Sequence, residues 1–351
     1  MAELYKFETL SNEYPDLLEN LLTGNGFSIE FNDNFKYGGL LDYLNHEHKL
    51  DDIEQELFKS FNTTNFEFVL NSLLTAIKIN ETYKIENKDL WKSYETIKQH
   101  LIYAVKGIHP ERYSLNIKKL AWSFNIFKSN IFTTNYDLLS YWALLEVKRS
   151  KGENNTGDFF LGRRPENLTF QPDYFAEHQF KLYYLHGGLH FFESNGDIIK
   201  IRPDKYKILD TITNEYDKGN FPLYVSEGTY ENKLAQIKRN RYLNFCYDKL
   251  SKTCKGITLF GQSLQPKYDQ HLIDAIKSSN VKYIAFGVYE TPAESKEFII
   301  ENTKKNFNDI GDKEILYFDS HEFFDSVKSI AHKRANTQGF GTILDEFPDL
   351  V

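Results

Sequence analysis

The 351-residue chain is predicted to adopt an α/β fold built on a parallel sheet, with a helical insertion after the first strand. Three observations favour this fold. Short apolar runs typical of buried strands recur along the chain, segments with helical spacing follow several of them, and small polar residues stand where the runs end. Because open α/β sheets bind ligands at the carboxyl ends of their strands, these polar ends are the first candidates for a site.

The amino-terminal third combines one strand with a series of helices. The first strand is predicted at 19–23, although its leucine-rich run is equally compatible with the end of a helix. Few strand signals occur from about 36 to 120, and helical spacing there predicts helices at 52–61, 66–79, 88–105 and 116–124. We interpret this stretch as a helical insertion that packs on the sheet and closes over its cleft.

The α/β pattern resumes near residue 124. Further strands are predicted at 124–132, 180–185, 256–260, 281–287 and 315–318, and a hairpin at 189–192 and 198–202 around Asn195-Gly196. Helices are predicted at 138–146, 230–250, 269–278 and 294–305, and a polar loop at 148–167. We therefore expect one domain over 1–330, including the insertion, and a C-terminal tail over 331–351.

Composition narrows the class of protein. The chain is 41% hydrophobic and 26% charged, which is ordinary for a soluble globular protein, and its net charge of −8 makes direct nucleic-acid binding unexpected. Cys246 and Cys254 are too few for a disulfide framework or a four-thiolate zinc site. No stretch approaches 18 apolar residues and the amino terminus lacks a signal-peptide pattern, so we expect a cytoplasmic protein without membrane binding.

Four strand ends carry turns of small and polar residues. They are Gly24-Asn25-Gly26-Phe27-Ser28, Thr133-Thr134-Asn135-Tyr136-Asp137, His186-Gly187-Gly188 and Gly261-Gln262-Ser263-Leu264. Each turn alone is a weak signal, since short polar turns follow many strands. Together they predict a single nucleotide-binding crevice.

The two glycine turns suit phosphate groups. Gly24 and Gly26 let a backbone approach a pyrophosphate closely, and Gly261 with Ser263 repeats the combination of a glycine and a hydroxyl. A lone G-x-G is also common in ordinary turns. Ile29 and Glu30 follow where the dinucleotide fingerprint has its third glycine, so a standard dinucleotide-dependent dehydrogenase is disfavoured.

Asn135, Asp137 and His186 are the candidate catalytic residues. Asn135 suits a ribose hydroxyl or a water, whereas Asp137 supplies either negative charge or a cap for the helix that follows it. His186 is a candidate general base with space cleared by the glycines after it, or else a core histidine.

Two other groups of residues are given non-catalytic interpretations. His190 does not form a metal site with His186, because the intervening glycines make a shared helical face improbable. Lys267, Asp269 and His271 are interpreted as the solvated start of a helix.

In their order along the chain, the four turns resemble the motifs of the sirtuin family, which are G-A-G-x-S, T-Q-N-x-D, H-G and G-T-S-L. The matches span residues 24–264. The resemblance implies a Rossmann-like sheet and NAD as substrate. No metal is expected, because the four cysteines of a zinc ribbon are absent. It implies that Gly24, Gly26 and Ser28 hold the pyrophosphate, that Asn135 and Asp137 line the nicotinamide-ribose pocket, and that His186 is catalytic.

The remaining cofactor contacts follow from the same resemblance. Gly261 and Ser263 are expected to contact phosphate or the adenosine ribose, and Phe35 to lie over nicotinamide, although its spacing is one residue shorter than in sirtuins. Asn25, Thr133 and Thr134 are assigned to cofactor binding with the turns that contain them.

The departures from the family pattern refine the functional expectation. The interval that holds a four-cysteine zinc ribbon in sirtuin deacylases contains only Cys246 and Cys254, and Thr134 replaces the glutamine of T-Q-N. The chain is thus more similar to zinc-free bacterial sirtuin-like proteins, many of which cleave NAD in antiphage defence. Some of those assemble with a DNA-translocase-type ATPase or an Argonaute-like partner.

These features predict an NAD⁺ glycohydrolase that releases nicotinamide and ADP-ribose and is gated by self-assembly into a homo-oligomer or by a defence partner. Asn135 is expected to orient the attacking water and the ribose, and His186 to accept a proton. The alternatives are a non-catalytic NAD or ADP-ribose sensor that regulates a partner and a zinc-free NAD-dependent deacylase.

Overall fold

Seven parallel strands form the main sheet. The computed structural model describes residues 4–36, 39–152, 155–162, 167–194, 196–201, 208–225 and 229–338. The strands of this sheet are β1 (Asn20–Thr23), β2 (Asn130–Thr133), β3 (Thr156–Gly157), β6 (Phe180–Tyr184), β10 (Cys254–Phe260), β11 (Asn280–Val288) and β12 (Glu314–Asp319). Their order is β12-β11-β10-β1-β2-β6-β3, with every neighbouring pair parallel.

The order of the strands places the four predicted turns side by side. From β1 the chain builds the sheet outward through β2 and β6, and it then returns to the other side of β1 to form β10. In register, Thr23 lies opposite Thr133 and Phe260, and Thr133 lies opposite Tyr184. All four strands therefore end in one row, at the reversal of strand order where open α/β sheets bind ligands.

A second, antiparallel sheet packs beside the first. It contains β4 (Phe160–Leu161), β5 (Asn167–Phe170), β7 (Gly187–Ser194), β8 (Asp197–Ile201) and β9 (Pro222–Tyr224), in the order β4-β5-β8-β7-β9. The predicted hairpin is β7 and β8, although Asn195 and residue 202 lie outside the described residues. The polar loop predicted at 148–167 is instead the end of a helix followed by β3 and β4.

Fourteen helices lie within the described residues. They are α1 (Phe7–Glu13), α2 (Asn25–Ile29), α3 (Leu40–His46), α4 (Asp52–Ser60), α5 (Phe66–Tyr83), α6 (Lys88–Ile108), α7 (Ile117–Asn125), α8 (Leu139–Lys151), α9 (Ile208–Asp217), α10 (Tyr230–Arg239), α11 (Arg241–Ser251), α12 (Pro266–Ser278), α13 (Lys296–Asn306) and α14 (Phe323–Gln338). The four helices predicted in the insertion correspond to α4, α5, α6 and α7. The predicted α/β class, with a Rossmann-like parallel sheet and a helical insertion after the first strand, is confirmed.

Three further predicted elements differ from the structure. The strand predicted at 124–132 is wrong in its first half, because α7 runs to Asn125 and β2 begins only at Asn130. The single helix predicted at 230–250 is two helices, since the Asn240 side chain accepts the N–H groups of Tyr242 and Leu243 and starts a new one. Helix α14 continues to Gln338, inside the predicted tail, and 339–351 lie outside the described residues.

The core is continuous across the main sheet and rich in aromatic rings. Phe7, Phe27, Phe260 and Phe323 are each at most 2% exposed and contact one another or shared neighbours. Strands β1 and β10 are buried over most of their length, as expected of parallel strands covered on both faces. No helix in the described part of the chain is long and apolar enough to cross a membrane.

Candidate functional site

A cavity of about 240 Å³, the inner cavity, opens where β1, β2, β6 and β10 end. Residues from all four predicted turns line it, namely Asn25, Thr134, Asn135, Asp137, His186, Gly261 and Ser263. Turns that are far apart in sequence thus converge on one site, because their strands are neighbours in the sheet.

A larger cavity of about 650 Å³, the outer cavity, lies on the other side of the Gly261–Ser263 turn. Both cavities are lined by Gly261, Gln262 and Ser263. Gly26 contributes to the outer cavity, whose walls are largely apolar and aromatic and include Phe260, Phe286, Tyr289, Phe298 and Ile299. A polar turn therefore separates a small polar cavity from a large apolar one.

A buried hydrogen-bond chain joins the first and second turns. The Asn135 Nδ2 donates to the carbonyl of Gly24 at 2.8 Å and to Ser28 Oγ at 2.7 Å, and Ser28 Oγ donates to Asp137 Oδ2 at 2.5 Å. Because a carbonyl can only accept, the contact with Gly24 fixes the orientation of the Asn135 amide. Its Oδ1 has no partner among the described residues and remains as an acceptor at the cavity.

Asp137 combines the two roles that the sequence left open. Its Oδ1 accepts a hydrogen bond from the N–H of Leu139 at 2.8 Å, at the start of α8, while its Oδ2 accepts one from the Ser28 hydroxyl. Burial raises the pKa of Asp137 to about 6, against the lowering effect of its hydrogen bonds with Ser28 and Leu139. The residue is thus both a helix cap and a buried carboxylate next to the cavity.

The glycines of the first and fourth turns bring those two turns together. A Cβ on Gly24 would lie 2.5 Å from the carbonyl oxygen of Gly261, and one on Gly26 would lie 2.7 Å from the Gly261 Cα. Gly261 itself has φ +71°, a conformation that favours glycine. The N–H groups of Gly24 and Gly26 already donate to the carbonyls of Phe260 and Gly261. These two glycines therefore connect the turns, which differs from the phosphate-binding role that the sequence predicts.

Two departures from the sirtuin motifs contact each other. Gln262 stands where the family motif has threonine, and Thr134 stands where it has glutamine. The Gln262 Nε2 donates to Thr134 Oγ1 at 2.7 Å and to the carbonyl of Thr23 at 3.0 Å. These hydrogen bonds of Gln262 therefore connect the fourth turn to the second turn and to the end of β1.

The Gly261–Leu264 turn offers free donors between the cavities. No backbone N–H of Gln262, Ser263 or Leu264 has a hydrogen-bond partner within the described ranges, and the Ser263 side chain is exposed. Neighbouring unpaired N–H groups in a turn suit an anion such as a phosphate. This turn, more than the Gly24–Gly26 turn, has the groups that a pyrophosphate requires.

His186 lines the inner cavity from the link between β6 and β7. Its ring is 6% exposed, and its Nε2 lies 3.0 Å from Nε2 of His271 on α12. Burial, followed by the charges near it, lowers the pKa of His186 well below the ordinary histidine value, so the ring is neutral. The glycines after it do not clear space for its ring as predicted, because a Cβ on Gly187 would meet the backbone of Leu223, 2.1 Å away.

Polar side chains from two helices also line or adjoin the inner cavity, and the sequence patterns do not predict them there. Lys233 of α10 and Asp269 of α12 both line it and are 3.5 Å apart, and His271 behind His186 is fully buried. Of the three residues interpreted as a solvated helix start, Lys267 is exposed as predicted, Asp269 is half-buried, and the prediction is wrong for the buried His271. The apolar face of α12 is a usable signal, because it includes Leu272, Ile273 and Ile276 and so turns His271 inward.

The roof of the inner cavity comes from the region after β1. Phe35, 6% exposed, is held by Asn25, whose Nδ2 donates to the Phe35 carbonyl at 2.9 Å. Its ring meets His109 edge-on, with the centroids 5.6 Å apart. Ile108, at the end of α6, also lines the cavity, so the helical insertion supplies part of the wall.

Three predicted site residues lie behind the cavity surface. Gly24 joins two turns, Ser28 relays a hydrogen bond, and Thr133 accepts the N–H of Asn135 at 3.1 Å. None of the three is among the residues that line either cavity. In the described part of the chain, no three His, Cys, Asp or Glu side chains are grouped so as to hold a metal ion.

Comparisons with known proteins identify a family. A family model described as "Domain of unknown function (DUF4917)" matches residues 21–327, which is most of the chain, and the chain belongs to this family. No curated protein matches it. Among solved structures, it is similar to one described as "Structural Basis for the Mechanism and Regulation of Sir2 Enzymes", at 12% identity over 93% of this chain and 98% of that chain, with a TM-score of 0.40. At that TM-score the overlap carries no weight, and the site is interpreted from this chain's own residues.

Proposed function

We propose that this member of the DUF4917 family is an NAD⁺ glycohydrolase that cleaves NAD⁺ to nicotinamide and ADP-ribose. One observation carries the proposal. Four turns converge on a small cavity that holds a neutral imidazole, an acceptor amide oxygen and a buried carboxylate, and this cavity adjoins a larger apolar one across a turn with free N–H groups. The resemblance of the same turns to sirtuin motifs points to the same ligand.

The two cavities match the two halves of a dinucleotide. The inner cavity suits nicotinamide and its ribose, because ring-sized polar groups need a few oriented partners, whereas the outer cavity suits the adenine ring among its aromatic walls. The pyrophosphate then lies at the Gly261–Leu264 turn, with the Ser263 hydroxyl as a further donor. Phe35 covers the nicotinamide end.

Cleavage of the bond between nicotinamide and ribose develops positive charge on the ribose, as in glycoside hydrolysis. Asp137 places negative charge beside the inner cavity, where low dielectric strengthens its effect. The free Oδ1 of Asn135 accepts a hydrogen bond from the attacking water or from a ribose hydroxyl. The oxygen of the water bonds to the ribose carbon, the electron pair of the broken bond leaves on the nicotinamide nitrogen, and the proton of the added water passes to solvent. His186, uncharged, forms a hydrogen bond with the ribose. The buried walls exclude other water.

The assay that tests the proposal measures every product at once. Purified chain is incubated with NAD⁺, with and without an acetyl-lysine peptide, and nicotinamide, ADP-ribose and O-acetyl-ADP-ribose are quantified by mass spectrometry. Release of nicotinamide and ADP-ribose in equal amounts without peptide is the expected result. Saturable NAD⁺ binding by calorimetry without cleavage supports the sensor instead, and cleavage only with peptide supports the deacylase.

Asn135→Ala is the informative variant in this assay. It removes the acceptor oxygen and also the amide that holds Ser28, so turnover should fall on the order of 10²–10⁴-fold, the range of a positioned catalytic group. Asn130→Ala is the matched control, since Asn130 is at the opposite end of β2 and bonds only Asn20 through its side chain in the described structure. Equal activity of wild type and Asn135→Ala would contradict the proposed site.

We also propose that assembly, with itself or with a defence partner such as a DNA-translocase-type ATPase, gates the activity, because an unregulated NAD⁺ hydrolase would harm its own cell. Exposed aromatic side chains on the insertion support this, among them Phe61 and Phe68, which contact each other edge-on and are 41% and 51% exposed. NAD⁺ consumption per chain should rise with protein concentration. A specific activity that stays constant over a wide concentration range, with and without infected-cell lysate, argues against gating.

A further inference from the structure

Two neutral imidazoles meet behind the inner cavity. The Nε2 atoms of His186 and His271 are 3.0 Å apart, and the rings are nearly parallel, with an interplanar angle of 29°. Burial is the main reason that both pKa values are lowered, that of His271 to about 3. A neutral imidazole carries one N–H, so a hydrogen bond between the two Nε2 atoms requires one ring to donate and the other to accept. The contact therefore has a direction.

The unpaired nitrogen of His271 decides that direction. His271 is fully buried, and its Nδ1 has no hydrogen-bond partner among the described residues. If Nδ1 carried the proton, an N–H donor would be buried without an acceptor, which is rare in native proteins. If Nε2 carries it, the proton is used at His186 and only a lone pair stays unpaired at Nδ1.

The same assignment defines the cavity-facing edge of His186. Its Nε2 accepts from His271, so its own proton is on Nδ1, and Nδ1 has no partner within the described residues. The backbone is held in place, because the N–H of Val225 donates to the His186 carbonyl at 2.7 Å. The ring edge that a ligand meets is thus a donor.

We propose that His271 is a positioning residue of the site, which holds His186 in the Nδ1–H form so that the resting protein presents a hydrogen-bond donor to a substrate oxygen. The identity of that oxygen, a ribose hydroxyl, rests on the proposed function, whereas the Nδ1–H form does not. This assignment replaces the proton-acceptor role that the sequence predicts for His186. It resembles the arrangement in which a third group orients a catalytic histidine, with a neutral imidazole in place of a carboxylate.

The surroundings favour a pair that stays neutral. The ammonium of Lys233 opposes a further proton on either ring, and its partner Asp269 is 3.5 Å from it. Behind His271, the Tyr247 hydroxyl donates to the His271 backbone carbonyl at 3.1 Å and so connects α11 to α12 at this residue. Besides the two histidines, the titratable groups around this contact in the described structure are Lys233, Asp269, Asp137 and Tyr136, which line the inner cavity with His186, and Tyr247, whose ring stacks on His271 with the centroids 6.4 Å apart.

Nuclear magnetic resonance of the full chain tests the tautomer without reference to catalysis. Histidine labelled with ¹⁵N and observed through two-bond ¹H–¹⁵N couplings at neutral pH should show His186 protonated at Nδ1 alone and His271 at Nε2 alone. His186 is assigned by the signal lost in His186→Asn. A His186 ring protonated at Nε2 overturns the proposal, even if the protein cleaves NAD⁺.

Paired substitutions at His186 test the donor role in the NAD⁺ cleavage assay. The side-chain amide of asparagine reaches the position of Nδ1 and can donate there, whereas glutamine reaches only the position of Nε2. We expect His186→Asn to retain at least 10-fold more turnover than His186→Gln and His186→Ala, since one positioned contact carries on the order of 10–100-fold. Equal loss in all three variants, with NAD⁺ binding kept, overturns the donor role and supports a proton acceptor.

The pair at His271 completes the test. Glutamine can donate to His186 from the position of Nε2 and asparagine cannot, so His271→Gln should keep kcat within a few-fold while His271→Asn loses about 10–100-fold with little change in KM. His190→Gln controls for replacing a buried histidine, because His190 is fully buried in β7 and outside both cavities. Equal kcat for His271→Asn and wild type, with both folded by circular dichroism, contradicts the positioning role.

If neither the wild type nor any variant cleaves NAD⁺, the proposed function is wrong. The nuclear magnetic resonance experiment then still determines which nitrogen of each histidine carries the proton.

Discussion

At the scale of single residues, the site depends on polar groups buried with few but specific partners. Ser28 connects Asn135 to Asp137, and the orientation of the Asn135 amide follows from one contact with the Gly24 carbonyl. Such a chain leaves one acceptor, the Asn135 Oδ1, free for a ligand. Because each member has its partner, removal of any one leaves another buried group unpaired, which costs about 1–3 kcal/mol.

Asp137→Asn separates the charge of this residue from its role as a cap. The amide can still accept the N–H of Leu139, so α8 should keep its start. A carboxyl whose folded pKa of about 6 lies above its unfolded value stabilises the fold at low pH and loses that contribution as pH rises through about 4 to 6. A rise of the pKa to about 6 corresponds to roughly 3 kcal/mol of this pH-dependent stability.

Urea unfolding at pH 4.5 and pH 7 measures this effect. As pH rises from 4.5 to 7, the free energy of unfolding of Asp137→Asn should increase relative to that of wild type. Only the wild type loses the contribution of the protonated carboxyl. Turnover of NAD⁺ by the variant should fall at pH 7. An unchanged stability difference between the two pH values would show that the Asp137 carboxyl is not perturbed.

At the scale of elements, the parallel strands align the turns and the glycines allow those turns to touch. Gly26→Ala puts a Cβ 2.7 Å from the Gly261 Cα, which forces the first and fourth turns apart. We expect a loss of about 1–3 kcal/mol in unfolding free energy, as for other overpacked sites, together with weaker NAD⁺ binding. Gly39→Ala is the matched control, since a Cβ there meets nothing within 4 Å. Equal stability of the two variants would contradict the packing account.

Much of the element order was predictable, and the failures have local causes. The helices α4, α5, α6 and α7 have apolar residues at helical spacing, a signal that does not depend on distant contacts. Phe124 and Phe127 belong to the end of α7 and the turn after it, yet they read as a strand because they adjoin the apolar β2. Strands β3, β4 and β9 have two or three residues each and are specified by pairing with distant strands, which a local pattern does not contain.

The residues of the candidate site also divide into those with a local sequence signal and those placed by tertiary packing. Residues at strand ends, such as Asn135 and His186, were found because the end of an apolar run is a local signal. Lys233 and His271 come from helices and reach the site through tertiary packing, and His271 is 85 residues from the histidine that it contacts. The roles of the glycines are not predictable for the same reason, since Gly24 faces the backbone of the fourth turn and Gly187 faces the backbone of β9.

At the scale of the whole molecule, four buried neutral histidines make the fold sensitive to acid. Burial is the main reason that the pKa of each is lowered, to about 4 for His109, to about 3 for His271 and well below the ordinary value for His186 and His190. A lowered histidine pKa means that the unfolded chain binds a proton that the folded chain does not, so stability falls as pH drops below about 6.5.

The predicted pH slope is steep. Near pH 5, each of the four histidines takes up as much as one proton on unfolding, and Asp137 releases about one. The net uptake should be roughly three protons, so the free energy of unfolding should fall by about 4 kcal/mol for each pH unit of acidification. Urea unfolding between pH 5 and 7 gives the slope directly, and His190→Gln should lower it by about one proton. A flat stability profile over that range would contradict the burial of neutral histidines.

Nicotinamide release by the purified chain tests the central claim, that four turns form one NAD⁺-cleaving cavity, most directly. Wild type and His178→Ala should release nicotinamide at the same rate, because His178 precedes β6 at the end of the sheet opposite the site and lines neither cavity. His186→Ala should release it about 10–100-fold more slowly while still binding NAD⁺, in line with the loss of one positioned hydrogen-bond donor. Release by His186→Ala at the wild-type rate would contradict the account.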